Sequence, residues 1–138
     1  MEFTYQSNFI PAPHYVIDLY HNVGWQNYTS DEPKLIRALN QSLCVITAWQ
    51  DTDLIGLIRA VGDGESILYI QDILVRKEFQ RHGVGSRLIH LLFEKYPGIR
   101  QKVLLTDNTP ETTAFYKKLG FREAGDAGYA AFLKIEAN

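Results

Sequence analysis

Apolar residues recur with a period of two in some stretches of this chain and at helical spacing in others, and the switches between these rhythms predict its elements. Phe3 and Tyr5 alternate with polar neighbours as a short strand does. Pro11 and Pro13 then break the chain before a helix-periodic segment from Tyr15 to Tyr20. A second helix is announced by Ser30-Asp31-Glu32-Pro33, an oxygen-bearing cap followed by a proline whose missing N–H costs nothing in the first turn. It runs to about Asn40 and buries Leu35, Ile36 and Leu39. Leu43 to Trp49 and Leu54 to Val61 are β-rich runs around the turn Gln50-Asp51-Thr52-Asp53, an antiparallel hairpin. Ile67 to Val75 is the next strand, Val84 to Tyr96 a helix, and Lys102 to Thr106 a strand. Thr109 caps a further helix with Pro110 in its first turn, Gly120 closes it, and Tyr129 to Ile135 alternates like a final strand. The predicted order is β-α-α-β-β-β-α-β-α-β-β, with both termini in strands.

Composition narrows the function classes. The 138 residues are 46% hydrophobic, enough for one packed core, so residues 1–138 are read as a single domain. A formal net charge of -2 gives no broad basic surface, which argues against nucleic acid as a partner. The start, Met1-Glu2-Phe3-Thr4, and the lack of any long apolar stretch predict neither a signal peptide nor a membrane span. The single cysteine, Cys44, lies in the apolar run Leu43-Cys44-Val45-Ile46, which excludes an intramolecular disulfide and points to a reducing, cytoplasmic setting. His14 and His21 stand seven apart without a third ligand of suitable spacing, so no metal is expected.

The chemistry concentrates where the chain passes from strand to glycine loop to helix. A helix whose first turn is stripped of side chains exposes unpaired N–H groups along a favourable dipole, and so holds phosphate well. Gly83 and Gly85 provide that turn, with Arg81 and His82 as side-chain donors and Val84, Leu88, Ile89 and Leu92 facing the core. The alternative is a tight β-to-α turn and nothing more. No Gly-Lys-Ser/Thr follows and no third glycine completes a dinucleotide fingerprint, so a different phosphate-bearing cofactor is indicated.

With the strand before it, Gln80-x-x-Gly83-x-Gly85 resembles the Q/R-x-x-G-x-G/A signature of the GNAT superfamily, the acetyl-CoA-dependent N-acetyltransferases. The element order is similar too, and Thr112 to Phe121, ending Tyr116-Lys117-Lys118-Leu119-Gly120-Phe121, resembles that family's second motif. The resemblance implies a mixed α/β (α+β) fold, with a mostly antiparallel sheet of six to seven strands, about four flanking helices and central strands that splay apart. It implies acetyl-CoA as cofactor, its diphosphate on Gln80, Arg81, His82, Gly83, Val84, Gly85 and Ser86, and its pantetheine arm paired with the backbone of Ile73, Leu74 and Val75. Asn108 is a further cofactor contact, displaced by one from the family's asparagine position, where Thr109 stands as a helix cap.

Transfer to an amine requires a proton acceptor, a donor for the developing oxyanion and an acid for the departing thiolate. The resemblance places Tyr116 beside the cofactor sulfur as that acid and cofactor contact; otherwise it is a core aromatic next to Phe115. Asp72, a carboxylate within Ile70-Gln71-Asp72-Ile73, is the candidate base or else a paired structural acid, with Glu65 or a water chain as substitutes. Trp25 and Tyr28 either cover a small-molecule or peptide amine or plug the core from a loop, and Arg59 either meets an acidic group of the substrate or pairs with an acid nearby. Cys44 has no neighbouring base, so direct transfer through a ternary complex is preferred. The expected function is that of an N-acetyltransferase acting on a primary amine; the alternative is a non-catalytic acyl-CoA-binding regulatory module. Exposed edge strands at the C-terminal end would permit a homodimer, as is common in the family.

Overall fold

A computed structural model describes residues 1–136. The chain divides into two compact units, Met1–Leu105 and Thr106–Asn138.

The first unit holds one sheet of five strands in the order β1-β2-β3-β4-β5. These are Thr4–Ser7 (β1), Cys44–Gln50 (β2), Asp53–Gly62 (β3), Ile67–Val75 (β4) and Gln101–Leu104 (β5). Successive strands from β1 to β4 are antiparallel, whereas β5 runs parallel to β4. Pro13–Asn22 (α1), Gln26–Thr29 (α2), Glu32–Asn40 (α3) and Val84–Lys95 (α4) complete this unit. The α3 signal is realised as predicted, since the Asp31 side chain accepts from the Lys34 amide and Pro33 sits in the first turn. Val16, Leu19 and Tyr20 of α1 and Leu35 and Leu39 of α3 form one core with Val45, Trp49, Leu54, Leu57 and Leu74 of the sheet.

In the second unit, Thr109 caps Pro110–Lys118 (α5) by accepting from the Thr112 amide, and Gly120 follows with φ +94°. The amides of Leu119 and Phe121 both return to the Tyr116 carbonyl and satisfy the helix end. A short 3-10 turn, Ala124–Ala127, comes next.

Two expectations need correction. Among the described residues, five strands and five helices stand in place of six to seven strands and about four helices. The difference in strands comes mainly from the C-terminal end, where no strand follows α5 among the described residues. The 129–135 run has strand alternation but is neither helix nor strand, and alternation alone does not make a strand. The extra helix is α2, a single turn too short to leave a periodic signal.

Candidate active site

Pairing between β4 and β5 spans only Ile67↔Gln101 to Ile70↔Leu104, although β4 continues to Val75. From Gln71 onward, β4 therefore has a strand neighbour on one side only. Each strand directs its peptide groups alternately to its two sides, so the stretch containing Ile73, Leu74 and Val75 offers backbone donors and acceptors along an open edge. The end of β4–β5 pairing at Ile70↔Leu104 is what frees that edge.

The parting coincides with a β-bulge. Arg59 lies opposite Asp72 but Ala60 lies opposite Ile70, which leaves Gln71 as the extra residue on β4. A bulge puts two consecutive side chains on one face, and both Gln71 and Asp72 reach the same hydroxyl, that of Tyr28. Asp72 is thereby turned toward α1 and α2. Its Oδ2 accepts from the Tyr20 hydroxyl at 2.9 Å and from Arg59 Nε at 2.8 Å, and its Oδ1 accepts from the Tyr28 hydroxyl at 2.8 Å. The Arg59–Asp72 pair is buried, at 8% and 2% side-chain exposure. Arg59 and Asp72 are thus each other's charged partner.

Burial, reinforced by the Asp72 carboxylate, raises the Tyr20 phenol well above its ordinary value of 10, and the same causes raise Tyr28. Burial alone would lower the Arg59 guanidinium, but the charge of Asp72 and its hydrogen bond hold it raised. Trp25 and Tyr28 are half-buried and pack with Tyr20 as an aromatic triplet, with ring centroids 5.2 to 6.2 Å apart. They lean on the core and still present surface. Glu65 lies in the turn before β4, at the opposite end of that strand from the glycine loop, where its amide bonds Asp63.

The loop between β4 and α4 is tied at its root. The Arg76 amide bonds the Ile55 carbonyl, the Arg76 side chain bonds the Leu54 carbonyl and Asp18, and Asn22 accepts from the Lys77 amide. Gln80 turns its side-chain amide back onto the Val75 carbonyl at 3.0 Å, so it braces the loop against the end of β4. Arg81 and Gly83 both take positive φ, +68° and +81°, and alternation of this kind curls successive N–H groups into a concavity suited to an anion. Gly83 is the N-cap of α4 and no side chain caps the helix, which leaves the first-turn amides of Val84, Gly85 and Ser86 to face outward along the dipole. A Cβ at Gly83 would meet open space, so its requirement is the backbone angle. Gly56 plays a different part, because a Cβ there would lie 3.2 Å from Val84 Cγ1 and 3.3 Å from the Leu74 carbonyl. Its bare backbone lets the start of α4 seat against the end of β4. Arg81 and His82 are exposed beside this turn.

In the second unit, Tyr116 is buried, its ring 5.0 Å from Phe115 and 5.7 Å from Phe121. Burial raises its phenol above 10, partly offset by a hydrogen bond with Thr106, so it carries its proton at neutral pH. Asn108 borders an open groove with Thr109, Pro110, Thr113 and Lys117.

Sequence reading missed Tyr20, Gln71 and Gly56. For Gln71 there was a signal: two consecutive polar residues, Gln71-Asp72, interrupt a strand whose alternation allows only one. Tyr20 and Gly56 gave none, since one completes a helical stripe and the other sits in an ordinary apolar run.

Among the described residues, no three His, Cys, Asp or Glu side chains gather as a metal site, and no helix is long and apolar enough to cross a membrane. Residues 41–123 match the family model described as an acetyltransferase (GNAT) domain. The chain is 31% identical over 104 residues to an "uncharacterized N-acetyltransferase ycf52" of Pyropia yezoensis, covering 72% of this chain and 59% of that one. It thus spans under two thirds of the length of that curated relative. A GNAT family acetyltransferase of Streptococcus pneumoniae TIGR4 is similar over 99% of this chain and 100% of its own, at 30% identity and a TM-score of 0.87. The structure of AAC(6')-Iy in complex with a CoA-containing bisubstrate analogue, 15% identical with a TM-score of 0.76 over 99% of this chain and 100% of its own, is alike in fold alone.

Proposed function

Because the chain belongs to the GNAT acetyltransferase family, we propose that it transfers an acetyl group from acetyl-CoA to a primary amine by direct attack within a ternary complex. One observation carries this reading: β4 and β5 part after Ile70↔Leu104, and the open edge of β4 leads to a glycine-headed helix whose first-turn amides no side chain caps. A bare strand edge ending in an anion-binding turn fits a ligand with an amide-bearing arm and a diphosphate. Coenzyme A has both.

The bound thioester supplies an activated acetyl group. The amides of Gly83 to Ser86, with Arg81 and His82 nearby, hold the diphosphate, and the β4 edge at Ile73 to Val75 orients the arm; Asn108 is assigned a secondary contact. Gln80 contributes by bracing the loop through Val75. By its likeness to the family's second motif, Tyr116, kept protonated, is assigned as the acid that gives its Oη proton to the departing sulfur and recovers one from solvent. Trp25 and Tyr28 wall the amine site. Asp72, engaged by three donors, acts by fixing Tyr28 and Arg59, and the amine proton passes to water.

The test is release of free thiol from acetyl-CoA across a panel of amino acids, polyamines, aminoglycosides and peptides with free amines. Acceptor-dependent release supports acyl transfer. Stabilisation by acetyl-CoA without any acceptor-dependent release would favour the non-catalytic binding module instead.

A further inference from the structure

The hydroxyl of Tyr28 has all of its hydrogen-bonding capacity assigned. Its proton goes to Asp72 Oδ1 at 2.8 Å, since a carboxylate paired with Arg59 accepts and does not donate. Its oxygen accepts from Gln71 Nε2 at 3.1 Å and from Arg59 Nη2 at 3.5 Å. A phenol has one proton to give, so Gln71 can meet this hydroxyl only with its amide nitrogen. The reverse orientation would set two oxygens face to face, or take the proton from Asp72, the stronger acceptor. A carboxylate that Gln71 does not touch thus sets the polarity of its amide.

Fixing the nitrogen also fixes the oxygen. Gln71 Oε1 occupies the other arm of the amide, directed away from the Tyr28 hydroxyl, and no described residue of the first unit donates to it. Gln71 is the extra residue of the bulge, the first position on β4 after pairing with β5 ends. Next to it, the Asp72 carboxylate is already taken by three donors. Of these two polar side chains beside the aromatic wall, Gln71 is the one with an acceptor to offer.

We infer that Gln71 Oε1 accepts an N–H of the incoming amine and aims its lone pair for attack. Gln71 takes this role only on the acyl-transfer reading, to which it adds the contact that orients the nucleophile. A primary amine that has lost one proton from its ammonium form keeps two N–H groups, with the lone pair opposite them. An acceptor on one N–H orients that lone pair without competing for it. As nitrogen bonds to the thioester carbon it gains positive charge, so its N–H becomes a better donor and the bond to Gln71 strengthens in the transition state. A neutral amide does this without favouring the unreactive ammonium, which a carboxylate at the same place would stabilise. Asp72 is then a positioning residue, acting on Gln71 through Tyr28.

Steady-state kinetics with the best acceptor of the amine panel, taken as separate kcat and KM values from pH 6 to 10, test this role. Gln71→Met keeps the side-chain length and loses the acceptor. Its kcat/KM for the amine should fall about tenfold or more, with the melting temperature and the KM for acetyl-CoA close to wild type. Gln71→Glu keeps an acceptor but charges it, so the rise of kcat with pH should move about one unit higher than in the wild type. Bracing of Tyr28 alone predicts otherwise: both variants, unable to donate to that hydroxyl, would lose activity alike and keep the wild-type pH profile. Gln71→Met with wild-type kcat/KM, or Gln71→Glu with an unmoved pH limb, overturns the role of Gln71 and leaves acyl transfer standing. A wild-type protein that releases thiol with no amine would instead remove the acyl-transfer reading, and the role of Gln71 with it.

Discussion

Gln71 and Asp72 are consecutive on β4, yet both side chains reach the hydroxyl of Tyr28, at 3.1 Å and 2.8 Å. In a regular strand they would face opposite sides of the sheet. The bulge at Gln71 brings them together, and strand pairing with β5 stops at the residue before it, Ile70. One irregularity thus turns an acid toward the aromatic wall at the point where the sheet opens.

The Arg59–Asp72 pair is stable only as a pair. Asp72→Ala strands a guanidinium that is nearly buried and should cost about 3–5 kcal/mol, whereas Arg59→Met combined with Asp72→Leu should cost clearly less than the sum of the two single changes. Urea unfolding of the three variants measures this. Equal additivity would show that the two charges are not coupled.

Alkaline pH should weaken the fold through Tyr20. Its folded pKa lies well above the unfolded value near 10, so the neutral phenol contributes its full stability below about pH 10. As pH rises beyond that value the unfolded chain loses its proton first, and stability falls until the folded pKa is passed. Melting temperatures from pH 8 to 11 should drop less steeply in Tyr20→Phe than in the wild type, although the variant, lacking the bond to Asp72, starts lower.

Gly56→Ala places a methyl against Val84, the Leu74 carbonyl and the Ala48 side chain, at 3.2 to 3.4 Å. Overpacking there should cost about 1–3 kcal/mol. It should also weaken acetyl-CoA binding, because the start of α4 must shift, and titration calorimetry beside denaturant unfolding detects both effects.

Tyr116→Phe preserves ring packing against Phe115 and Phe121 and removes the proton donor. Turnover with the best acceptor should fall about a hundredfold with little change in acetyl-CoA affinity. Since the phenol is raised above 10, the wild type should lose no activity to its ionisation between pH 7 and 9. Full turnover by the variant would remove Tyr116 from the chemistry.

The legible parts of this fold were the local ones. The Asp31 and Thr109 caps are chemistry within one turn, and α3 and α5 begin where those residues place them. The hairpin of β2 and β3 and the strand Ile67–Val75 were visible because alternation and turn residues lie close together in sequence. The glycine loop was legible for the same reason, and its αL angle at Gly83 is what a glycine at that place provides. What escaped depends on distant partners. Asp72 stood out as an acid in an apolar strand, but its partners Tyr20 and Tyr28 lie 52 and 44 residues away, and no local pattern names them. The 129–135 segment failed as a predicted strand for a related reason: alternation says which face would be buried, and only a neighbouring backbone makes it a strand.

The central claim is that the first-turn amides of α4 hold the diphosphate of acetyl-CoA. Gly83→Asn and Gly83→Asp test it most directly, since both side chains tolerate the left-handed angle and enter open space, and they differ only in charge. Titration calorimetry should find acetyl-CoA bound by the wild type and, within a few-fold, by the asparagine variant. The aspartate variant, of matching stability, should bind about tenfold or more weakly, with the deficit shrinking as salt is raised. Equal affinity in the two variants, or no binding by the wild type, would contradict the account.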